Sequence, residues 1–211
     1  MRTDRLIDLL VQDSYRLWSF RLILALAVAG GISIAAIVFF AGIGFRHDIS
    51  EAAKTIRFLY KFVVTIALAI TSICAVLSAG SPSGNFASRK FVLMIAPALL
   101  VSAVLLELIV TPESQWMPRL IGHNSRFCLT LIPLLSLGPL GCILAALRYG
   151  APFDPGAGGA IAGLVASGIA ATFYGANCTD DSPLFVITWY PLATLIVVTV
   201  GYLIGRKILK W

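Results

Sequence analysis

Six long apolar runs, separated by short connections, restrict what this chain can fold into. Hydrophobic residues make up 59% of its 211 residues and charged residues only 12%, whereas soluble domains carry about 25% charged residues. A membrane-spanning helix needs about 20 mostly apolar residues, and backbone groups in lipid must be hydrogen-bonded within their own segment. We therefore predict an all-α, polytopic membrane protein with six transmembrane helices. The runs cover residues 22–45, 58–79, 91–110, 127–147, 158–176 and 184–204.

Lysine and arginine positions predict the orientation, because basic residues favour the cytoplasmic side of a membrane. With the N-terminus in the cytoplasm, 10 of the 16 lysines and arginines fall inside and 6 outside, Lys61 among the outer ones. An even number of spans also returns the basic C-terminal end to the cytoplasm, so we expect an N-in, C-in topology. The net charge of +6 lies at the ends of the spans, where it indicates orientation and gives no reason to expect nucleic-acid binding.

Residues 1–21 precede the first run and have the pattern of a short amphipathic helix. Thr3 is a candidate N-cap, the acidic residue after it suits the helix dipole, and leucine and isoleucine recur on one face. A helix lying on the membrane surface has such a stripe, and so does a helix that binds a hydrophobic groove of a partner protein. Three aspartates fit a basic protein partner better than anionic lipid. The candidate partner-binding residues are Thr3, Asp4, Leu6, Ile7, Asp8, Leu10 and Asp13.

The four cysteines divide by their depth in the predicted spans. Cys74 and Cys142 lie well inside spans, where a thiol is usually a small apolar filler. Cys128 opens the fourth span on the outer side and Cys178 lies in the last outer loop, so the topology places both in one compartment. Paired thiols can form a disulfide where that compartment is oxidising, although two cysteines at membrane edges are also compatible with unrelated roles.

Metal binding is the alternative for the two outer cysteines. Their thiolates, together with His123, Asp180 or Asp181, have the chemistry to bind a soft divalent ion. The spacing matches no C-x-x-C or H-x-x-x-H pattern, so we predict no permanent metal site. No phosphate loop, nucleophile triad or pair of carboxylates stands out either, and we expect neither a cofactor nor enzyme activity.

Glu107 is the one acid well inside a predicted span, near the outer end of the third. An acid in lipid is a functional candidate, but its closeness to the edge favours a side chain that simply reaches water. A path lined by Glu107 and the prolines inside the spans is the basis for an alternative function, a small transporter or channel. Against that alternative, we expect no buried lysine, arginine or histidine.

The last two spans contain glycine pairs at a spacing of four residues, Gly159 with Gly163 and Gly201 with Gly205. Small residues at this spacing let two helices approach closely. We expect these glycines to pack helices against each other within the chain, with the interface of a homo-oligomer as the alternative.

Several stretches of the chain resemble a known family. One is Thr3-x-x-Leu6-Ile7-x-x-Leu10-x-x-Asp13, and another runs Cys178-Thr-Asp-Asp-Ser-Pro-Leu-Phe-Val-Ile-Thr-Trp-Tyr190. Arg126-Phe-Cys128 and the closing Gly205-Arg-Lys-Ile-Leu-Lys-Trp211 extend the similarity over essentially the full chain. These stretches resemble the NrsF-type family of bacterial six-helix membrane proteins, which negatively regulate extracytoplasmic-function sigma factors.

The resemblance implies a membrane-anchored anti-sigma factor in the bacterial inner membrane, whose partner is a cytoplasmic extracytoplasmic-function sigma factor. It further implies that two outer cysteines, which match Cys128 and Cys178, are needed for the response to oxidising or heavy-metal stress. On this basis we expect residues 1–21 to bind the sigma factor and residues 22–204 to form a six-helix sensor domain in the lipid bilayer. Residues 205–211 are then a basic cytoplasmic tail.

Overall fold

The computed structural model describes residues 19–79, 90–150 and 154–209. Within these ranges the chain is almost entirely helical and contains no strand, so the all-α prediction is confirmed. The seven candidate partner-binding residues between Thr3 and Asp13 lie outside the described residues. The amphipathic helix predicted for them therefore stays a prediction.

Six long helices form the bundle over the described ranges, joined by short helical turns. Each of the six is long and apolar enough to cross a membrane; for the third long helix this includes the 3₁₀ turn that precedes it. In chain order the helices are α1 Phe20–Gly42, α2 Ile49–Ala52, α3 Ile56–Ala79, α4 Ile95–Val110, α5 Trp116–Ile121, α6 Ser125–Leu147, α7 Pro155–Gly175 and α8 Pro183–Ile208, with 3₁₀ turns at Lys90–Met94 and Glu113–Gln115.

Capping residues explain why several helices begin earlier than the apolar runs predict. Ser19 accepts the Leu22 N–H before α1, Asp154 accepts the N–H groups of Gly156 and Ala157 in α7, and Ser182 accepts the Leu184 N–H in α8. Such side chains bind backbone N–H groups that have no partner inside the helix. Both α7 and α8 also start with proline, whose fixed φ suits the first helical position. Hydropathy alone does not detect these polar capping residues, so the apolar runs start later than the helices.

Helix α7 lies at the centre of the bundle and contacts α1, α3, α6 and α8. In its apolar window 72% of the residues are buried, against 22% for α1. A Cβ atom added at Gly159 would lie 2.1 Å from the carbonyl oxygen of Gly201, and one at Gly163 would lie 2.8 Å from the Cα of Val198. The prediction that these glycines pack two helices within the chain is confirmed. Because these glycines already pack against each other within the chain, they are not free to form the interface of a homo-oligomer. An oligomer would need another surface and stays a prediction.

The bundle has two buried apolar clusters and an apolar exterior. One cluster, around Leu24, Leu147 and Ile161, lies toward the end with the chain termini, and the other, which contains Cys128 and Cys178, lies toward the opposite end. Large apolar side chains cover much of the outer surface of the helices. Examples are Ile37, Leu106, Ile109 and Leu195, each more than half exposed.

Candidate thiol site

The loop between α7 and α8, residues 178–182, joins elements that are far apart in the sequence; we call it the hub loop. Its residues contact Arg46 in the segment after α1, Lys61 in α3, Glu107 in α4 and Asn124 just before α6. At this end of the bundle, the hub loop therefore links four other parts of the chain through hydrogen bonds and ion pairs.

Two buried cations converge on Asp181 and on the backbone of Cys178. Lys61 Nζ donates to Asp181 Oδ1 at 2.6 Å and to the Cys178 carbonyl at 3.1 Å. Arg46 Nη1 donates to Asp181 Oδ2 at 2.8 Å and to the same carbonyl at 3.2 Å, and Arg46 also makes a two-pronged pair with Asp48. The side chains of Lys61 and Arg46 are only 1% and 8% exposed. Because a buried charge without a partner is costly, the carboxylates are needed to neutralise these cations.

Asp180 binds the start of the helix that carries Cys128. Its Oδ2 accepts the backbone N–H groups of His123 at 2.9 Å and Asn124 at 2.8 Å, and the side-chain amide of Asn124 at 3.0 Å. The same amide donates to Thr179 Oγ1 at 2.8 Å. A carboxylate is favourable beside a helix N-terminus, where N–H groups are unpaired and the helix dipole is positive. Asp180 therefore fixes the position of α6 relative to the hub loop.

Cys178, the first residue of the hub loop, and Cys128 in α6 lie in one buried cluster. They are free thiols in this structure and are 0% and 1% exposed. The Asn124 carbonyl accepts both the N–H of Cys128 at 2.8 Å and the hydroxyl of Tyr174 at 3.2 Å. The Tyr174 carbonyl in turn accepts the N–H of Cys178 at 2.9 Å. The fold thus brings together the two cysteines that the sequence singled out.

Burial and nearby charges shift the pKa values of ionisable groups at the hub loop. Burial raises the pKa of the Cys178 thiol, because the charged thiolate is disfavoured away from water, while the nearby Lys61 ammonium opposes that shift. The hydrogen bond from Arg46 lowers the pKa of Asp48, and the same pair raises the pKa of Arg46. Arg46 and Asp48 therefore stay charged at neutral pH, whereas Cys178 stays protonated.

Glu107 does not simply reach water, so that interpretation of the sequence is wrong. Its side chain is 4% exposed and binds Arg57 Nε at 2.9 Å, Arg119 Nη1, and the Ser182 hydroxyl at 3.4 Å. Two arginines bound to one buried carboxylate neutralise its charge. Glu107 thus links α3, α4 and α5 to the last residue of the hub loop.

The expectation that no lysine is buried is also wrong, because Lys61 lies inside α3 with its ammonium covered. Counted only as an outer charge, Lys61 was missed as part of the site, as was Arg46. The signal in the sequence was an excess of cations in the first outer loop opposite two adjacent aspartates after Cys178.

The geometry gives no support to a metal site built on His123, Asp180 and Asp181. Both carboxylates are bound to protein donors, and the His123 side chain is 96% exposed with its Nδ1 3.8 Å from Asp180. Across residues 19–79, 90–150 and 154–209, no three or more histidine, cysteine, aspartate and glutamate side chains are grouped so that they could hold a metal ion.

Comparison with models of known protein families identifies the family of this chain. The model of the family NrsF, described as "Negative regulator of sigma F", matches residues 13–211. The chain belongs to the NrsF family. The matched region includes the six long helices and the hub loop, and it begins at the last of the seven candidate partner-binding residues. Membership in the NrsF family confirms the resemblance noted in the sequence, and it places the chain among regulators of a sigma factor rather than among enzymes.

Relatives within the NrsF family are similar over most of their length. Anti-sigma-F factor NrsF of Caulobacter vibrioides (strain NA1000 / CB15N) is 31% identical over 214 residues, which is 100% of both chains. Probable anti-sigma-F factor NrsF of Azospira oryzae (strain ATCC BAA-33 / DSM 13638 / PS) is 30% identical over 190 residues, 89% of this chain and 88% of the relative. No solved structure matches the chain.

Proposed function

We propose that this protein is a membrane-anchored anti-sigma factor. It holds an extracytoplasmic-function sigma factor at the bacterial inner membrane and releases it when Cys128 and Cys178 react with an oxidant or a heavy metal. Membership in a family of negative regulators of sigma F supports the regulatory role. The names of the relatives from Caulobacter vibrioides and Azospira oryzae, both anti-sigma-F factors, support a sigma factor as the partner.

The burial of the two cysteines in one cluster at the hub loop is the observation that carries the proposed sensing role. Cys178 is the first residue of that loop, and its carbonyl is bound by Lys61 and Arg46. We expect a change in bonding at its sulfur to displace this backbone, and with it the contacts that hold α3 and the segment after α1. The reaction of two small thiols can therefore alter the packing of a whole helical bundle.

The apolar exterior of the helices and the distribution of charge support an inner-membrane location with both termini in the cytoplasm. A contiguous apolar surface of this extent is stable in lipid and a liability in water. At the hub-loop end, five cations are paired with carboxylates, namely Arg46, Lys54, Arg57, Lys61 and Arg119. At the other end lie Arg21, Arg148, Arg206 and Lys207, and none of the ion pairs between described residues includes them. Basic residues near the ends of spans favour the cytoplasmic side of a membrane.

Residues 1–21 are the proposed sigma-binding segment, residues 22–204 the sensor domain, and residues 205–211 the basic tail. The apolar stripe of Leu6, Ile7 and Leu10 would fill a hydrophobic groove of the sigma factor. Thr3 would cap the helix, and three aspartates would pair with basic residues of the partner. These aspartates are Asp4, Asp8 and Asp13.

A reporter of sigma-dependent transcription tests this function. Deleting residues 1–15 should raise transcription in the absence of stress, and Leu6→Asp with Leu10→Asp should do the same in the full chain. Gln12→Asp, a position away from the apolar stripe of the predicted helix, is the matched control and should leave repression unchanged. Repression that survives both changes, with normal amounts of protein in the membrane, would contradict the proposed function.

No observation favours the alternative of a transporter or channel. That alternative required Glu107 to line a path across the membrane, but its carboxylate is bound to Arg57 and Arg119. The buried charges of the described bundle are paired at one end, where they hold elements together.

A further inference from the structure

Cys178 in the hub loop and Cys128 in α6 differ in their surroundings. The backbone carbonyl of Cys178 is bound by two cations, Lys61 at 3.1 Å and Arg46 at 3.2 Å. Cys128 lies in the first turn of α6, where its N–H donates to the Asn124 carbonyl, and among the described residues no lysine or arginine donates to its backbone. The Lys61 ammonium also favours the Cys128 thiolate, but burial and the neighbouring Cys178 disfavour that thiolate more strongly. Reactive cysteines are those that lie beside a cation, because the thiolate is the nucleophile.

Both thiols are buried, with Cys178 1% and Cys128 0% exposed, but different segments of the chain cover them. Cys178 lies in a loop and is followed directly by Thr179, which is exposed. Its Sγ donates a long hydrogen bond to the Asp180 carbonyl at 3.7 Å and also interacts with the Tyr174 hydroxyl, and sulfur hydrogen bonds are weak. Cys128 is held in a helix and is 0% exposed. Exposing Cys178 therefore requires the hub loop to move, whereas exposing Cys128 requires the start of α6 to open.

We propose that Cys178 is the attacking thiol of the pair, that Cys128 is the resolving thiol, and that Lys61 is the positioning residue that selects Cys178. This proposal rests on the thiol response proposed above and adds the order in which the two cysteines react. Burial raises the pKa of Cys178, and the Lys61 ammonium is the largest electrostatic influence that opposes the shift. Removing that charge lowers the thiolate fraction at neutral pH further.

The chemistry balances with a hydroperoxide as the oxidant. The Cys178 thiolate attacks one oxygen of the peroxide, the O–O bond breaks, and an alcohol leaves after taking a proton, or water if the oxidant is hydrogen peroxide. Cys178 is now a sulfenic acid. The sulfur of Cys128 then attacks the sulfur of Cys178, the S–S bond forms, and water leaves with the thiol proton. The two thiols lose two electrons in total, and the peroxide gains them.

Trapping the sulfenic acid tests the order. The full-length protein in detergent carries Cys74→Ala and Cys142→Ala, so that only the hub-loop pair reacts, and is treated with hydrogen peroxide and a 1,3-diketone that captures sulfenic acids. With Cys128→Ser added, mass spectrometry should find the adduct on Cys178. With Cys178→Ser instead, Cys128 should carry none. An adduct mainly on Cys128, equal adducts, or none in either variant would overturn the proposal.

Variants of Lys61 test its role in the Cys128→Ser protein. Lys61→Met should slow adduct formation on Cys178 about tenfold, the effect of raising a thiol pKa by about one unit. Lys61→Arg keeps the charge and should stay within about threefold of the parent. Lys54→Met, which removes an exposed cation paired with Glu51, is the matched control and should have no effect. Equal rates for Lys61→Met and Lys54→Met would overturn the role of Lys61, and so would a Lys61→Arg rate as low as that of Lys61→Met.

The reporter of sigma-dependent transcription separates this proposal from the proposed function. If the double-serine protein is still induced by hydroperoxide, the thiol response itself fails. If induction needs both cysteines but the trap labels Cys128, only the order and the role of Lys61 fail.

Discussion

The ammonium of Lys61 lies 2.6 Å from the carboxylate of Asp181, although the two residues are 120 positions apart in the chain. Their side chains are 1% and 17% exposed, so the pair is largely shielded from water. Through it, α3 is bound to the loop that begins with Cys178. The pair therefore connects the proposed thiol site to a helix that runs to the opposite end of the bundle.

Replacing Asp181 with asparagine should destabilise the protein by about 3 kcal/mol, because removing one partner of a buried ion pair leaves an uncompensated charge. The free energy of unfolding can be measured by denaturant titration in detergent micelles. Glu51→Gln is the matched control: it breaks a pair whose two side chains are 71% and 72% exposed, and exposed pairs contribute little. Equal effects of the two substitutions would contradict a structural role for the buried pair.

Replacing Asp180 with alanine should make Cys128 more accessible. The backbone N–H groups of His123 and Asn124 lose their acceptor, which should cost about 1 to 2 kcal/mol and loosen the first turn of α6. The rate of maleimide labelling, measured with Cys128 as the only cysteine, should rise.

Asp154→Ala is the control for that experiment. It removes the equivalent cap from α7, at the other end of the bundle, and should cost similar stability without changing the labelling of Cys128. If both substitutions speed labelling equally, Asp180 has no local role at the thiol site.

Substituting Gly159 with alanine should separate α7 from α8. The added Cβ would lie 2.1 Å from a backbone carbonyl oxygen of α8, and overpacking of this kind typically costs about 1 to 3 kcal/mol. Gly141→Ala places its Cβ where no atom lies within 4 Å, and should be neutral or slightly stabilising because alanine favours the helix. Thermal unfolding in micelles should therefore show a loss of stability for Gly159→Ala and no loss for Gly141→Ala.

Stability should fall at alkaline pH because of Cys178. Burial raises its pKa above the ordinary value of 9.0, so above about pH 9 the unfolded chain loses this proton while the folded chain keeps it. The stabilising contribution is therefore complete below pH 9 and is lost as pH rises toward the folded-state pKa. Unfolding of the wild type and of Cys178→Ser, compared from pH 8 to 10.5, should converge at high pH. If the free energies of unfolding of the two proteins stay parallel across this pH range, burial does not raise the pKa of Cys178.

The helices of this protein could be read from its sequence, but the ion pairs that join them could not. Apolar runs predict spans because lipid requires long apolar segments, and the glycines at spacing four predicted the contact between α7 and α8. The contacts of Asp181 with Lys61 and Arg46 join residues 120 and 135 positions apart. Which ends meet depends on how six helices are arranged, and hydropathy does not determine that arrangement.

Glu107 shows the same limit. From sequence it is an acid near the edge of a span, and water is the simplest partner for it. Its actual partners, Arg57 and Arg119, lie 50 and 12 positions away on other elements. The topology already placed Cys128 and Cys178 on the same side of the membrane, but their spacing matches no known pattern, so their role in sensing rested on the resemblance to a family.

The most direct test of the account is the release of a bound sigma factor from inside-out membrane vesicles after treatment with hydrogen peroxide. Vesicles with the wild-type protein should release the sigma factor into the supernatant, because oxidation of Cys128 and Cys178 changes the bundle. Vesicles with Cys128→Ser and Cys178→Ser should retain it. Equal release from both kinds of vesicle, or retention by the wild type once its two thiols are oxidised, would contradict the claim that this thiol pair controls the grip on the sigma factor.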